Sequence, residues 1–284
     1  MGLLDVLTQV GAVVVALHLV ALVVVVGPKQ LWTLRCGLRT KLRTIGPSLG
    51  VLVTVLLANG VVRNVGVELS WIIGLNITGG IHAVEGRFVA HLQSLATPPL
   101  TAYFGFVYVF GYVFLLTFPL VAYLVLADTR PLHTLVVAYV VNYGLGLVCY
   151  VVFVSYGPRN FMPELVSSLL YNSWPQSQLL TSQVNVNTNV FPSLHTSLSA
   201  TVGLLAYRYR ERFPRWLPLA AVLSISIAVS TMYLGIHWLT DVVAGVALAV
   251  LSVAVAMRVT NDADRARSRT EDSIGGRERW RRND

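Results

Sequence analysis

Runs of about 20 apolar residues recur along this chain, and each is long enough to cross the hydrocarbon core of a bilayer as a helix. Backbone polar groups find no water in that core, so a spanning segment of this kind must bond its own N–H and C=O groups in a helix. The charge content agrees. Only 12% of the 284 residues are charged, and 55% are hydrophobic. A soluble domain carries about 25% charged residues. The chain therefore reads as an all-α, polytopic membrane protein, and its length suits one helical bundle rather than two globular domains.

Hydropathy sets seven candidate spans, at about 8–27, 46–62, 100–126, 134–155, 192–207, 216–235 and 238–257. Two long connections separate them, 64–98 and 156–191. Three regions follow: a first span with a basic loop over 1–45, the main bundle over 46–258, and a charged tail over 259–284. The tail is too poor in apolar residues to fold alone and is expected to be disordered or surface-lying. No positive residues precede the first run, which argues for a retained span with its amino end outside rather than a cleaved signal.

Lysine and arginine fix the orientation. Lys29, Arg35, Arg39, Lys41 and Arg43 lie in one loop, Arg130 in a turn, and Arg208, Arg210, Arg212 and Arg215 in another loop. With the tail, all fall on one side of a seven-span topology, which makes that side cytoplasmic. The net charge of +8 is then a matter of topology and anionic lipid, not of nucleic acid. Cys36 and Cys149 are expected at different depths and unpaired, and neither has the neighbours of a metal site.

The opposite side receives both long connections. Within the first, Ile81 to Leu95 reads as amphipathic, with Val84, Phe88, Leu92 and Leu95 on one face. Such a helix lies in the membrane interface or packs on the end of the bundle. Asn76-Ile77-Thr78 nearby is a glycosylation sequon.

The same side collects the chemistry. His195 follows Pro192 and Ser193 at the start of the fifth span, where free amides and the helix dipole favour an anion. The expectation puts Pro192 in the first helical turn. His237 precedes Asp241 by four residues, so the two share a helix face. A buried carboxylate holds an imidazole in one tautomer and stabilises its cation, leaving the second nitrogen to attack phosphorus. Asp241 opens an apolar run and is costly there unless paired. Arg159, after the fourth span, offers a planar guanidinium suited to phosphate. Read without function, these are a capping Pro-Ser, a helix-start ion pair and a headgroup contact.

At these residues the chain resembles the type 2 phosphatidic acid phosphatase superfamily, and within it the inositol phosphorylceramide synthase-like branch. Pro192-Ser193-Leu194-His195 matches the superfamily's Pro-Ser-x-His signature. Ser230, His237 and Asp241 match its Ser-Arg-x5-His-x3-Asp signature, with Thr231 in place of the arginine. Gly157-Pro158-Arg159 is similar to a reduced form of its first signature. The resemblance implies a six-helix phosphatase-type core within a bundle of about six to seven transmembrane helices. It also implies that His237 is the nucleophile, Asp241 its orienting group and His195 the proton donor to the leaving oxygen, with Ser193 and Arg159 holding phosphate.

The resulting expectation is a phosphatase or phosphotransferase of the plasma membrane. It acts on a lipid-linked phosphate ester at the extracytoplasmic face, with water or an alcohol as acceptor. Two histidines and an arginine supply nucleophile, acid and positive charge, so neither metal nor cofactor is called for. The rivals are a catalytically silent lipid-phosphate binding protein and a small transporter using Asp241 and the histidines to carry protons. Polar residues clustered at one face, rather than spread through the spans, weigh against the transporter.

Overall fold

The computed structural model describes residues 2–28, 30, 38–181 and 190–281. It is an all-α helical bundle. Five helical stretches are long and apolar enough to cross a membrane: Leu3–Val26, Pro98–Val125, Arg130–Val152, Trp216–Tyr233 and Leu239–Ala263. In chain order, the first is α1 (Leu3–Ala21) extended by a π turn, and α2 covers Leu38–Ile73. Helix α5 (Pro98–Phe106) continues through a second π turn (Val107–Gly111) into α6 (Tyr112–Val125). Then come α7 (Arg130–Val152), α11 (Leu194–Arg208), α12 (Trp216–Tyr233) and α13 (Leu239–Arg281).

Two of the seven expected spans fall outside the five. Helix α11 has 15 residues, roughly 22 Å at 1.5 Å per residue. It packs against α7, α12 and α13. Its protein-facing side can carry polar residues that a lipid-facing side could not. Ser197 and Thr201 are buried and accept both amide hydrogens of Asn142 on α7, at 2.6 and 3.1 Å. Such bonds hold helices together where water is absent. Helix α2 is apolar enough only over Ile45–Leu57, yet it runs on to Ile73, past the expected end near Arg63.

The core lies between these helices. Leu115 and Phe118 of α6, Leu135 and Ala138 of α7, Leu198 and Leu205 of α11, and Trp216 and Ala220 of α12 are all buried in one cluster. Close packing of this kind is what drives helix association in lipid, where burial from water is not on offer.

The long connections are ordered where they are described. The first forms β1 (Leu75–Asn76), α3 (Thr78–Glu85) and α4 (Phe88–Gln93); β1 pairs in parallel with β2 (Phe153–Val154) at the end of α7. The expected amphipathic stretch is thus two helices, divided at Gly86 with φ 56°. Ile81 and Val89 seat the pair against Met162, Val166 and Trp238. Of the stripe read from the sequence, Val84, Phe88 and Leu95 are exposed and Leu92 packs on the bundle. At the sequon, Thr78 is buried and its hydroxyl accepts from the Tyr156 amide at 3.0 Å. The second connection forms α8 (Pro158–Phe161), α9 (Leu169–Ser173) and α10 (Ser177–Thr181).

At the far end, α13 carries the charged stretch as helical backbone to Arg281, where the sequence reading expected a disordered or surface-lying tail over 259–284. Its arginines and glutamates are good helix formers, and no proline interrupts them. Cys149 is a free thiol, and Cys36 lies outside the described residues.

Candidate active site

The turn between α12 and α13 presents His237. Gly235 has φ 73°, a left-handed conformation that glycine adopts without steric cost. The Ile236 and His237 amides then both donate to the Thr231 carbonyl, at 2.9 and 3.0 Å. Thr231, which stands where the resembling family has arginine, is fully buried, and its hydroxyl donates to the Ala228 carbonyl. Its visible part in the site is therefore to anchor this turn through its backbone.

Asp241 sits in the first turn of α13, completely buried. Its Oδ2 accepts from the Trp238 amide at 2.9 Å and lies 3.3 Å from His237 Nδ1. The expected pairing is present, but His237 lies in the turn before α13 rather than on a helix face shared with Asp241; it leaves Nε2 of the imidazole for other work. Asp241 Oδ1 is buried with no protein partner.

His195 comes from a different helix. Ser193 is the N-cap of α11: its hydroxyl accepts from the Thr196 amide at 3.3 Å and donates to the Thr196 hydroxyl at 3.0 Å. Pro192 lies before the cap, joined to Phe191 by a cis bond, rather than in the first helical turn. The Ser193 amide donates to the Asp241 carbonyl at 3.0 Å, which ties the start of α11 to the start of α13. His195 is thereby brought within 6.4 Å of His237, ring centre to ring centre. Tyr108 stacks on His195 at 4.7 Å, and Tyr112 lies tilted against it at 4.4 Å.

Arg159 joins through its backbone. The Gly157-Pro158-Arg159 loop lies on the His237 turn, and the Arg159 amide donates to the Gly235 carbonyl at 3.0 Å. Gly157 is required by this approach, because a Cβ there would stand 2.2 Å from the Ile236 carbonyl oxygen. The guanidinium lies over the Tyr171 ring, 4.7 Å from its centre, and Nη2 donates to the Tyr171 hydroxyl at 3.2 Å. Nη1 is buried with no protein partner.

Of the five residues singled out by sequence, His195, His237 and Asp241 bring side chains together, Arg159 joins the His237 turn through its backbone, and the Ser193 hydroxyl is engaged in its cap. Several neighbours escaped sequence reading. Tyr108 and Tyr112 belong to an aromatic run that gave no sign of which ring would face a histidine. Tyr171 and Glu85 lie in connections without a motif. Beside the Arg159 loop opens a cleft of about 380 Å3, lined by Asn76, Thr78, Gly79, Tyr156, Asn160 and Phe161. Its wall is tied to the site, because the indole N–H of Trp238 donates to the Tyr156 carbonyl at 2.8 Å.

A carboxylate-backed imidazole, a second imidazole beside it and a buried arginine nitrogen on the adjoining loop are groups that can act on a phosphate ester. A family model described as the PAP2 superfamily matches residues 81–255, which hold every one of these groups. The chain belongs to the PAP2 superfamily, and a phosphatase-type activity on phosphate esters accompanies that membership. No curated protein and no solved structure matches the chain.

Proposed function

We propose that the chain is an integral membrane phosphatase or phosphotransferase acting on a lipid-linked phosphate ester through a phosphohistidine on His237. Within the superfamily, we read its signatures as similar to those of inositol phosphorylceramide synthase-like enzymes. The observation that carries the reading is the pair of imidazoles 6.4 Å apart, one of them backed by Asp241. Near-attack geometry sets nitrogen and phosphorus about 3–3.5 Å apart. Both rings, 6.4 Å apart centre to centre, lie close enough to act on one phosphate group.

With Nδ1–H donated to Asp241, His237 Nε2 attacks phosphorus. The P–O bond to the lipid breaks, and His195 delivers a proton to the departing oxygen. His195 then takes a proton from water or an alcohol, whose oxygen attacks phosphorus and breaks the N–P bond. Arg159 Nη1 and amides at the start of α11 receive the equatorial oxygens, where charge accumulates. Asp241 stabilises the imidazolium each time it forms. Arg130 and the Arg208 to Arg215 stretch lie at the other end of α7, α11 and α12, which supports an extracytoplasmic site.

The test is direct. Protein incubated with a radiolabelled lipid phosphate is expected to form an acid-labile, base-stable phosphoenzyme, and vanadate is expected to block turnover. His237→Ala is expected to abolish labelling. Full activity in His237→Ala would refute the mechanism. Product analysis with mixed lipid extracts, with and without added alcohols, separates hydrolysis from transfer.

A further inference from the structure

We infer that Glu85, on the connection between the second and third apolar runs, is a positioning residue for the His237–Asp241 pair. The inference deepens the phosphohistidine reading and rests on it. Glu85 is the last residue of α3, and Gly86 turns the chain away directly after it. Its carboxylate crosses to the first turn of α13. Oε2 accepts from the Leu239 amide at 2.8 Å, and Oε1 accepts from the Thr240 amide.

Together with the bond from the Trp238 amide to Asp241, three successive amides at this helix start are held by two carboxylates. The amino end of a helix leaves its first amides without intrahelical partners, and it attracts anions. A phosphate drawn to this end of the bundle would find the start of α13 already occupied by Glu85. That directs it toward Arg159 and His195 instead. The same two bonds fix the segment that carries Asp241 and aims His237.

The platform that holds Glu85 has separate anchors. Ile81 and Val89 are buried against Met162, Val166 and Trp238. Gln93 on α4 donates to the Tyr233 carbonyl at 3.0 Å and the Ser167 carbonyl at 2.9 Å, and accepts from the Ser167 amide at 2.8 Å. The α3–α4 pair therefore grips the His237 turn on both flanks, with Gln93 before it and Glu85 after it. Loss of Glu85 leaves the apolar seat and Gln93 in place, so the turn loosens while the fold stands. An ordinary helix cap would lower stability alone. A positioning residue lowers kcat, because small misplacements of a reacting group cost about 100-fold in rate.

The experiment uses the full chain in detergent micelles with a radiolabelled lipid phosphate. Glu85→Ala is expected to lower kcat by about 10- to 100-fold while KM stays within about threefold, the signature of a loss confined to the transition state. Glu85→Gln keeps the shape and one acceptor and is expected to fall between the two. Amide exchange over 234–242 is expected to quicken in Glu85→Ala without change in the rest of the bundle. Wild-type kcat in both variants would overturn the inference. So would a kcat that merely follows the folded fraction, and Glu85→Gln decides the matter should Glu85→Ala fail to fold. His237→Ala run alongside separates the two readings. Turnover by that variant removes the phosphohistidine reading itself, whereas an inactive His237→Ala beside fully active Glu85 variants removes only the role of Glu85.

Discussion

The two ends of the bundle both gather histidine, arginine and hydroxyl groups, but they treat them differently. At the end where α7 begins, His133 Nε2 is 2.9 Å from the Ser48 hydroxyl. Thr134 lies within hydrogen-bonding distance of Thr260 and accepts from the Tyr209 hydroxyl, and Arg212 pairs with Asp128 at 3.5 Å in an exposed position. At the end where α7 finishes, Arg159 Nη1 and Asp241 Oδ1 are buried without protein partners. An unsatisfied buried polar group costs about 1–3 kcal/mol, and more when charged. At the first end the buried atoms left without a hydrogen-bond partner, Tyr123 Oη and Trp216 Nε1, belong to neutral side chains; at the other, Arg159 and Asp241 are ionisable. The second pattern is the one expected of residues kept for a ligand rather than for the fold.

The sharpest way to break this contrast is at the nucleophile. His237→Ala is expected to reduce turnover by about 10,000-fold or more and to eliminate the phosphoenzyme, as loss of a covalent nucleophile does. Arg159 comes next. Arg159→Ala is expected to lower kcat/KM by about 100- to 1,000-fold, the range found when a donor to developing charge is removed. Arg159→Lys should recover little of it, because an ammonium cannot both lie flat on Tyr171 and present a second nitrogen in the plane of the first. Steady-state kinetics on a lipid phosphate measure both. Near-normal rates in Arg159→Ala would mean that the unpartnered nitrogen is incidental.

Most of the site was legible because its chemistry is written in short spacings. His237 and Asp241 are only four residues apart, and Pro-Ser before His195 marks a helix start. Spans of 20 apolar residues gave most helix positions for the same reason, since periodicity and length are local properties. What was not legible depends on contacts between distant segments. Helix α11 reads as a membrane span, but its Ser and Thr residues make sense only once Asn142 is seen opposite them. The stretch 81–95 reads as one amphipathic helix because a lone Gly86 inside a helical pattern is weak punctuation. The face that packs on the bundle was not legible because Trp238 and Val166, which cover Ile81 and Val89, are remote in sequence. Glu85 looked like any polar-face residue, since its partners lie about 150 positions away.

Gly157 tests the scaffold rather than the chemistry. A methyl group at this position meets the Ile236 carbonyl oxygen, so Gly157→Ala must push the Arg159 loop away from the His237 turn. Overpacking of this kind costs about 1–3 kcal/mol in stability. The activity loss is expected to be about 10- to 100-fold, smaller than for Arg159→Ala, since every catalytic group remains present but displaced. Thermal unfolding in detergent and kcat together check it. Unchanged values for both would show that the two loops do not need their close contact.

The smallest effects are expected at the opposite end, and they matter as much to the comparison. His133→Ala removes one partly buried hydrogen bond to Ser48, worth about 0.5–1.5 kcal/mol of stability. Arg212→Ala removes an exposed ion pair of a kind that contributes about 0–1 kcal/mol and is weakened by salt. Neither change alters the charge or geometry around His237, which lies at the far end of the helices that carry these groups. Turnover in both variants is therefore expected to stay within about twofold of the parent at saturating substrate, with a modest fall in Tm for His133→Ala alone. A large loss of kcat in either would mean that the two ends are energetically coupled through α7 or α12. Partner satisfaction would then no longer separate groups that serve the fold from groups that serve the reaction.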